Sequence, residues 1–296
     1  MHEDDYGSAL APVRRTGWLA LAAAVLTVGL IAYGSWVRVS GSGLGCPDWP
    51  LCEGGVLPTL EGDTAIEFGH RFYAGVTMLV VAAAAWSGFA SRRADGLLAK
   101  VIVGAFAAIL LQAALGGATV LTELDGMVRL AHLSIAMLTL ALLTGAAIRG
   151  LGIPGSDSPG LPVATGLLLG AGFVVLLGGS IVGVGLSFGC PGLPLCDDRS
   201  PTDAAWLHAI HRTAAVLLLA ALIATAVRLR KRRGTVFAIG LNHGAAFLVL
   251  AQIGVGVSAV VQTLPDGLRV LHLAIATLIW WAIVAQWALA LKVRSA

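Results

Sequence analysis

The sequence predicts an all-α integral membrane protein of eight transmembrane helices, built as two pseudo-symmetric four-helix bundles with both termini cytoplasmic. Three observations carry this. Hydrophobic residues make up 57% of the 296-residue chain and charged residues only 12%, against about 25% charged in an average soluble domain. Uncharged runs recur at the length a bilayer requires, about 20 apolar residues per helix. The second half of the chain also repeats the first, segment by segment.

The spans follow in order. Residues 16–37, 72–91, 101–122, 130–148 and 270–291 are each free of charge, and the longer uncharged runs 158–196 and 234–265 each hold one span and a loop. The remaining span covers 205–227. Its uncharged part, 213–227, is too short to cross alone, so the helix has to begin upstream and carry His208, His211 and Arg212. Cytoplasmic flanks are enriched in Lys and Arg. With the N-terminus inside, Arg14, Arg15, Arg92, Arg93, Lys100, Arg149, Arg228, Arg230, Lys231, Arg232, Arg233, Lys292 and Arg294 all fall on the inner side, 13 of the 19 basic residues. The net charge of +3 is then an orientation signal, and RLRKRRG is a solvated inner loop with no nucleic-acid partner. The start, MHEDDYGSAL, is unlike a signal or transit peptide. The expected setting is a bacterial inner (cell) membrane, with the chain multi-pass in its lipid bilayer.

Internal repeats set the domain organisation. VRVSGSGLGCPDWPLC matches VGVGLSFGCPGLPLC, and EFGHRFYAGVTML matches HAIHRTAAVLLLA. LQAALGGATV matches AQIGVGVSAV, and VRLAHLSIAML matches LRVLHLAIATL. Both halves start in the same direction, which predicts parallel repeats about an axis along the membrane normal. The expected division is a cytoplasmic tail at 1–16, a first bundle at 17–150, a cytoplasmic linker at 151–162 and a second bundle at 163–296. The 38 glycines serve close helix packing or make room for a flat ligand, and composition does not choose between these.

The four cysteines form two small loops, CPDWPLC and CPGLPLC. Both fall outside, where disulfides persist. Each half should pair within itself, as Cys46–Cys52 and Cys190–Cys196. A redox-active pair is the alternative to a structural staple. A zinc site made of all four lacks CxxC spacing.

His70 and His132 in the first half match His211 and His272 in the second, at similar depth near the outer ends of even-numbered spans. Ionisable residues inside spans are functional candidates. Two facing imidazoles in a four-helix core hold a haem iron by both axial positions, whereas a lone histidine is more simply hydrogen-bonded within the bundle. Arg71, Arg129, Arg212 and Arg269 each lie one or three residues from one of these histidines, near a helix N-terminus that disfavours cations. Haem propionates would offset that, since Arg binds carboxylates through a two-pronged fork. Pairing with Asp125 or Asp266, or snorkelling to the surface, is the plainer alternative. One position breaks the symmetry: Glu67 stands where the second half has His208. On a helix, i and i+3 share a face, so Glu67 lies beside His70. A carboxylate there can accept a proton or stabilise developing positive charge, or it simply caps its helix. His208 competes with His211 for the same iron.

Together, ExxHR at Glu67–Arg71, HxxHR at His208–Arg212, the later His132 and His272, the CxxxxxC loops and the eight spans resemble the haem A synthase family over essentially the whole chain. The resemblance implies an enzyme that oxidises the C8 methyl of haem O to the formyl of haem A, which serves terminal haem-copper oxidases. It implies a haem b cofactor at His211 and His272, flanked by Arg212 and Arg269. It places substrate haem O at His70 and His132, flanked by Arg71 and Arg129, with Glu67 as the catalytic carboxylate. It also implies that the first cysteine loop matters for activity. The partners it suggests are haem O synthase, oxidase assembly factors and an electron acceptor that the sequence does not identify. A quinol-linked di-haem b electron carrier explains the histidine pairs but not Glu67 against His208. A proton-coupled transporter leaves the Arg–His pairing unexplained, and a thiol oxidoreductase leaves the histidines idle.

Overall fold

The computed structural model describes residues 3–154, 159–197, 200–232 and 236–294. Hydrocarbon offers no water to backbone N–H and C=O groups, so a spanning segment satisfies them internally as a helix. Among the described residues there are eight α-helices: α1 Glu3–Val39, α2 Gly62–Ala90, α3 Gly96–Leu121, α4 Gly126–Gly150, α5 Leu161–Gly183, α6 Thr202–Lys231, α7 Val236–Val261 and α8 Asp266–Arg294. All eight are long and apolar enough to cross a membrane. The described residues contain no strand, only an isolated bridge between Cys52 and Gly55.

Two boundaries show how the helices start. α6 begins at Thr202, upstream of His208, as its short uncharged core requires. α1 reaches back to Glu3 and runs through Pro12, so most of the segment expected as a tail is helical. Adding residues to an existing helix costs far less than nucleating one. Asp95 and Asp125 cap α3 and α4 by accepting from backbone N–H groups of the first turn, the usual device for those orphan donors. Of the expected linker 151–162, residues 155–158 lie outside the described residues.

Each half closes the same ring of contacts. α1 packs on α2 and α4, α2 on α3, and α3 on α4; in the second half α5 packs on α6 and α8, α6 on α7, and α7 on α8. Across the seam, α1 meets α8, α4 meets α5, and α4 meets α8. Exchanging the halves turns the first of these contacts into the second and leaves the third unchanged, as a two-fold axis does. Leu98, Ile102, Leu140 and Leu143 are fully buried in the first bundle, and Leu222 and Ile283 in the second. Trp280 joins the bundles, its indole N–H donating to the Met137 carbonyl at 3.0 Å.

Glycine sets the closest approach. A Cβ added at Gly17 on α1 would lie 2.7 Å from the backbone of Gly150 on α4, and one added at Gly150 would lie 2.7 Å from Gly17. Gly126 on α4 stands in the same way against the Gly183 backbone of α5, across the seam. Backbone cannot swing aside as a side chain can. Gly17→Val should therefore push α1 from α4 and cost about 1–3 kcal/mol, the usual range for overpacking, read as a lower thermal midpoint in detergent. Gly75→Ala, with nothing within 4 Å of the added Cβ, should leave the midpoint unchanged or slightly raised.

Candidate functional site

The two cysteine loops connect α1 to α2 and α5 to α6, so they sit at one end of the molecule, above the first turns of the even-numbered helices. Both expected disulfides are present. Cys46–Cys52 has its Cα atoms 4.7 Å apart and Cys190–Cys196 has them 4.9 Å apart. The first loop is also tied to the start of α2. Ser42 Oγ donates to Asp63 Oδ1 at 2.8 Å, and Thr64 Oγ1 donates to the Gly45 carbonyl at 2.9 Å. The Trp49 ring of this loop lies over Gly117 on α3, where a Cβ would come within 2.7 Å of it.

Arg71 and Arg212 hold the loops down. Arg71 Nη1 donates to the carbonyls of Asp48 at 2.8 Å and Leu51 at 2.7 Å, and its Nη2 donates to that of Cys46 at 3.1 Å. In the second half, Arg212 Nη1 donates to Gly192 at 2.8 Å and Pro194 at 2.9 Å, and Nη2 to Cys190 at 3.1 Å. The forks that spacing suggested for carboxylates are thus committed to loop carbonyls, in the same pattern twice. Arg71 makes one more bond, from Nε to Glu67 Oε1 at 3.0 Å.

That bond marks the difference between the halves. Glu67 is buried, at 7% exposure, and lies past the first turn of α2, whose N-cap position is Glu61. It does not cap the helix. Glu67 stands on the His70 face, held by an arginine that also holds the first disulfide loop. His208, at the matching position, places Nε2 3.0 Å from the Leu186 carbonyl. That contact ties it to the end of the preceding segment and leaves His211 as the ring that faces His272.

Each histidine of the repeat rests against a glycine of the preceding helix. A Cβ at Gly34 on α1 would stand 3.2 Å from the His70 ring, and one at Gly116 on α3 would stand 3.4 Å from His132. Gly178 on α5 meets His211 at 3.0 Å, and Gly256 on α7 meets His272 at 3.2 Å. The Nδ1 atoms of all four rings are buried without a hydrogen-bond partner. The His211 and His272 rings lie with centroids 6.5 Å apart. Imidazole nitrogens coordinate metals at about 2.0–2.1 Å, so this spacing leaves room for one ion between two ring nitrogens. His70 is edge-on to Tyr33 at 5.7 Å, and Tyr33 lies 6.4 Å from Tyr73.

Among the described residues no group of three or more His, Cys, Asp or Glu gathers to hold an ion. The donor chemistry is therefore paired, buried imidazoles, which suits an iron already held by a macrocycle in its plane. The residues fit a haem in each half.

The remaining arginines differ from one another. Arg269 donates to Asp266 at 2.8 Å, the pairing weighed above as the plainer alternative. Arg129 has a buried Nε without a partner, while Asp125 Oδ1 accepts from the N–H groups of Met127 and Val128. Several site residues escaped the sequence reading. Gly116 and Gly256 occupy matching places in LQAALGGATV and AQIGVGVSAV, so their signal was present. Gln112 and Gln252, one turn earlier, also match. Gln252 donates to the His272 carbonyl at 2.8 Å, and the Oε1 atoms of both glutamines are buried and unpaired. Tyr33 and Tyr73 carry no repeat signal, since only the first half has them.

Comparison with known proteins identifies the family. A protein-family model described as COX15-CtaA, cytochrome oxidase assembly protein, matches residues 17–284. A haem A synthase of Symbiobacterium thermophilum is 30% identical over 273 residues, covering 84% of this chain and 87% of the relative. One from Exiguobacterium sibiricum is 29% identical over 243 residues, covering 77% and 79%. One from Geobacillus kaustophilus is 26% identical over 302 residues, covering 96% and 94%.

The arginine clamps make a direct prediction. Charge-assisted hydrogen bonds contribute about 1.5–3 kcal/mol each, and Arg212 makes three to its loop. In Arg212→Gln, the Cys190–Cys196 bond should be reduced and labelled by a maleimide at least about tenfold faster than in the parent protein. An unchanged labelling rate would mean that the clamp does not govern loop opening.

Proposed function

Because the chain belongs to the COX15-CtaA family, we propose that it acts as a haem A synthase, oxidising the C8 methyl of haem O to the formyl of haem A for terminal oxidase assembly. The observation that carries this is the one-sided Glu67. Two matched imidazole pairs would serve an electron carrier equally well. A buried carboxylate beside only one pair suits a protein in which one macrocycle reacts and the other does not. The first half is then the substrate half, with haem O facing His70 and His132. The second half is the cofactor half, with haem b on His211 and His272.

Turning the methyl into a formyl removes four electrons from the carbon and adds one oxygen; with water as the oxygen donor, four protons are released and the electrons pass on to an acceptor outside the chain. The haem held in the second half would supply an iron that accepts electrons. Glu67 supplies a fixed carboxylate at the substrate edge, able to accept a proton from the reacting carbon or to stabilise positive charge on it. Its Oε1 is held by Arg71, and among the described residues Oε2 has no partner. Arg71 also grips the Cys46–Cys52 loop, so the loop fixes the position of the carboxylate through one guanidinium. This is the physical reason the first loop would matter for activity. Tyr33 sets the plane of His70 by edge contact. Contact with haem carboxylates falls to arginines other than Arg71 and Arg212, which are committed to the loops. The basic flanks favour the extracytoplasmic side for the cysteine loops. Docking with haem O synthase and with oxidase assembly factors would deliver substrate and receive product.

Protein purified in mild detergent from a host that makes haem O should yield haem b together with haem O or haem A on extraction. Haem b alone in both halves would favour the electron carrier. Glu67→Ala should keep both haems yet lose formyl formation by at least about 100-fold, within the range for loss of general acid–base help. An unchanged haem A yield would remove Glu67 from the mechanism. Gly178→Leu, which would drive a branched side chain into the His211 ring, should abolish the haem b spectrum while leaving the first-half haem in place.

A further inference from the structure

Three cations converge at the seam between the bundles. Arg38 lies in the last turn of α1, and Arg129 and Arg269 lie in the first turns of α4 and α8. These three helices pack on one another. The up-and-down chain path brings α1's last turn and the first turns of α4 and α8 to the end that carries the cysteine loops. Asp266 opens α8 at the same end.

The local acids do not balance this. Asp266 is engaged by Arg269 Nη1, and Asp125 is bonded to the N–H groups of its own helix. Arg129 Nε is buried and unpaired, as is Ser35 Oγ, one turn before Arg38 on the same helix. Two helix N-termini add partial positive charge at the same place. Like charges repel more strongly away from water, so the assembly calls for an anion. Arg38 also breaks the repeat. The matching second-half run, 158–196, carries no charge. The cluster therefore leans toward the first half, as Glu67 does.

We propose that Arg38, Arg129 and Arg269 form one carboxylate-binding site at the seam, which takes the acidic side chains of the macrocycle held at His70 and His132. This rests on the two-haem reading above and adds to it. Arg38 joins the substrate site, and Arg269 reaches that site from the other half. A guanidinium fork binds a carboxylate at two points, so three forks fix the macrocycle's rotation and thereby which methyl group faces Glu67. A lipid phosphate offers similar anionic chemistry, and the test separates the two.

The test uses protein carrying its resident haem, titrated with a second equivalent of ferric protohaem or of its dimethyl ester, which lacks the free carboxylates. Binding is read from the Soret band. The parent protein should prefer the free acid, and Arg38→Gln should cut that preference by about tenfold. Arg38→Lys should keep part of it, because it retains the charge and loses the fork. Arg269→Gln should act like Arg38→Gln although it lies in the other half. The resident haem spectrum reports that each variant has folded, and Arg38→Lys and Arg269→Gln stand in if Arg38→Gln does not assemble. An unchanged acid-over-ester preference in the variants overturns the proposal. If co-purified anionic phospholipid falls at the same time, the anion is a lipid headgroup. A parent protein that takes up no second equivalent removes the two-site reading and this proposal with it.

Discussion

The contact on which the site depends is that of an imidazole lying against a glycine of the preceding helix. It occurs four times: His70 on Gly34, His132 on Gly116, His211 on Gly178 and His272 on Gly256. Each contact sets how near two helices stand and how deep a ring sits. A Cβ at Gly34, Gly178 or Gly256 would press on its ring at 3.0–3.2 Å, whereas one at Gly116 would only touch it at 3.4 Å. Bilayer lipid gives helices no hydrophobic reason to associate, so close packing of small residues has to supply the attraction. Here the packing that joins the helices also seats the four imidazoles.

A second layer of organisation lies at the loop end. Arg71 and Arg212 bind three loop carbonyls each, so each CxxxxxC loop is closed covalently and fastened to the helix that carries the histidine. In the first half the same guanidinium also reaches Glu67. In the second half His208 turns to the Leu186 carbonyl. One duplicated scaffold thus offers two environments. One is a histidine pair whose rings face each other at 6.5 Å. The other is a histidine beside a carboxylate and two tyrosines. Duplication supplies two equal frames, and a few substitutions give them different surroundings.

Much of this was legible in the sequence, and the reasons are physical. Spans depend on hydrophobicity and length, and the matching helix contacts of the two halves on a direct repeat. The histidines stood out because a ring that recurs at equal depth in a charge-poor chain has few structural uses. The glycine partners were harder to read. The chain has 38 glycines, and the four under the rings differ from the rest only in what they face. Arg38 was hidden for the opposite reason. It looked like one flanking charge, and only the packing of α1 on α4 and α8 brings it to the other two arginines.

The arginines beside the histidines show the division most clearly. The sequence by itself determined that Arg71 and Arg212 are equivalent, that each follows a histidine, and that each calls for an anionic partner at a helix N-terminus. It also determined the disulfide pairs, because each half had to close its own loop. Only the tertiary structure decided that the partners are carbonyls 18–25 residues away, and that Arg71 alone also holds a buried glutamate. The physical reason is that hydrophobicity, period and repeat are local properties of a chain. Which acceptor a guanidinium finds depends on how a loop folds back over a helix, and that is settled only when the helices are packed.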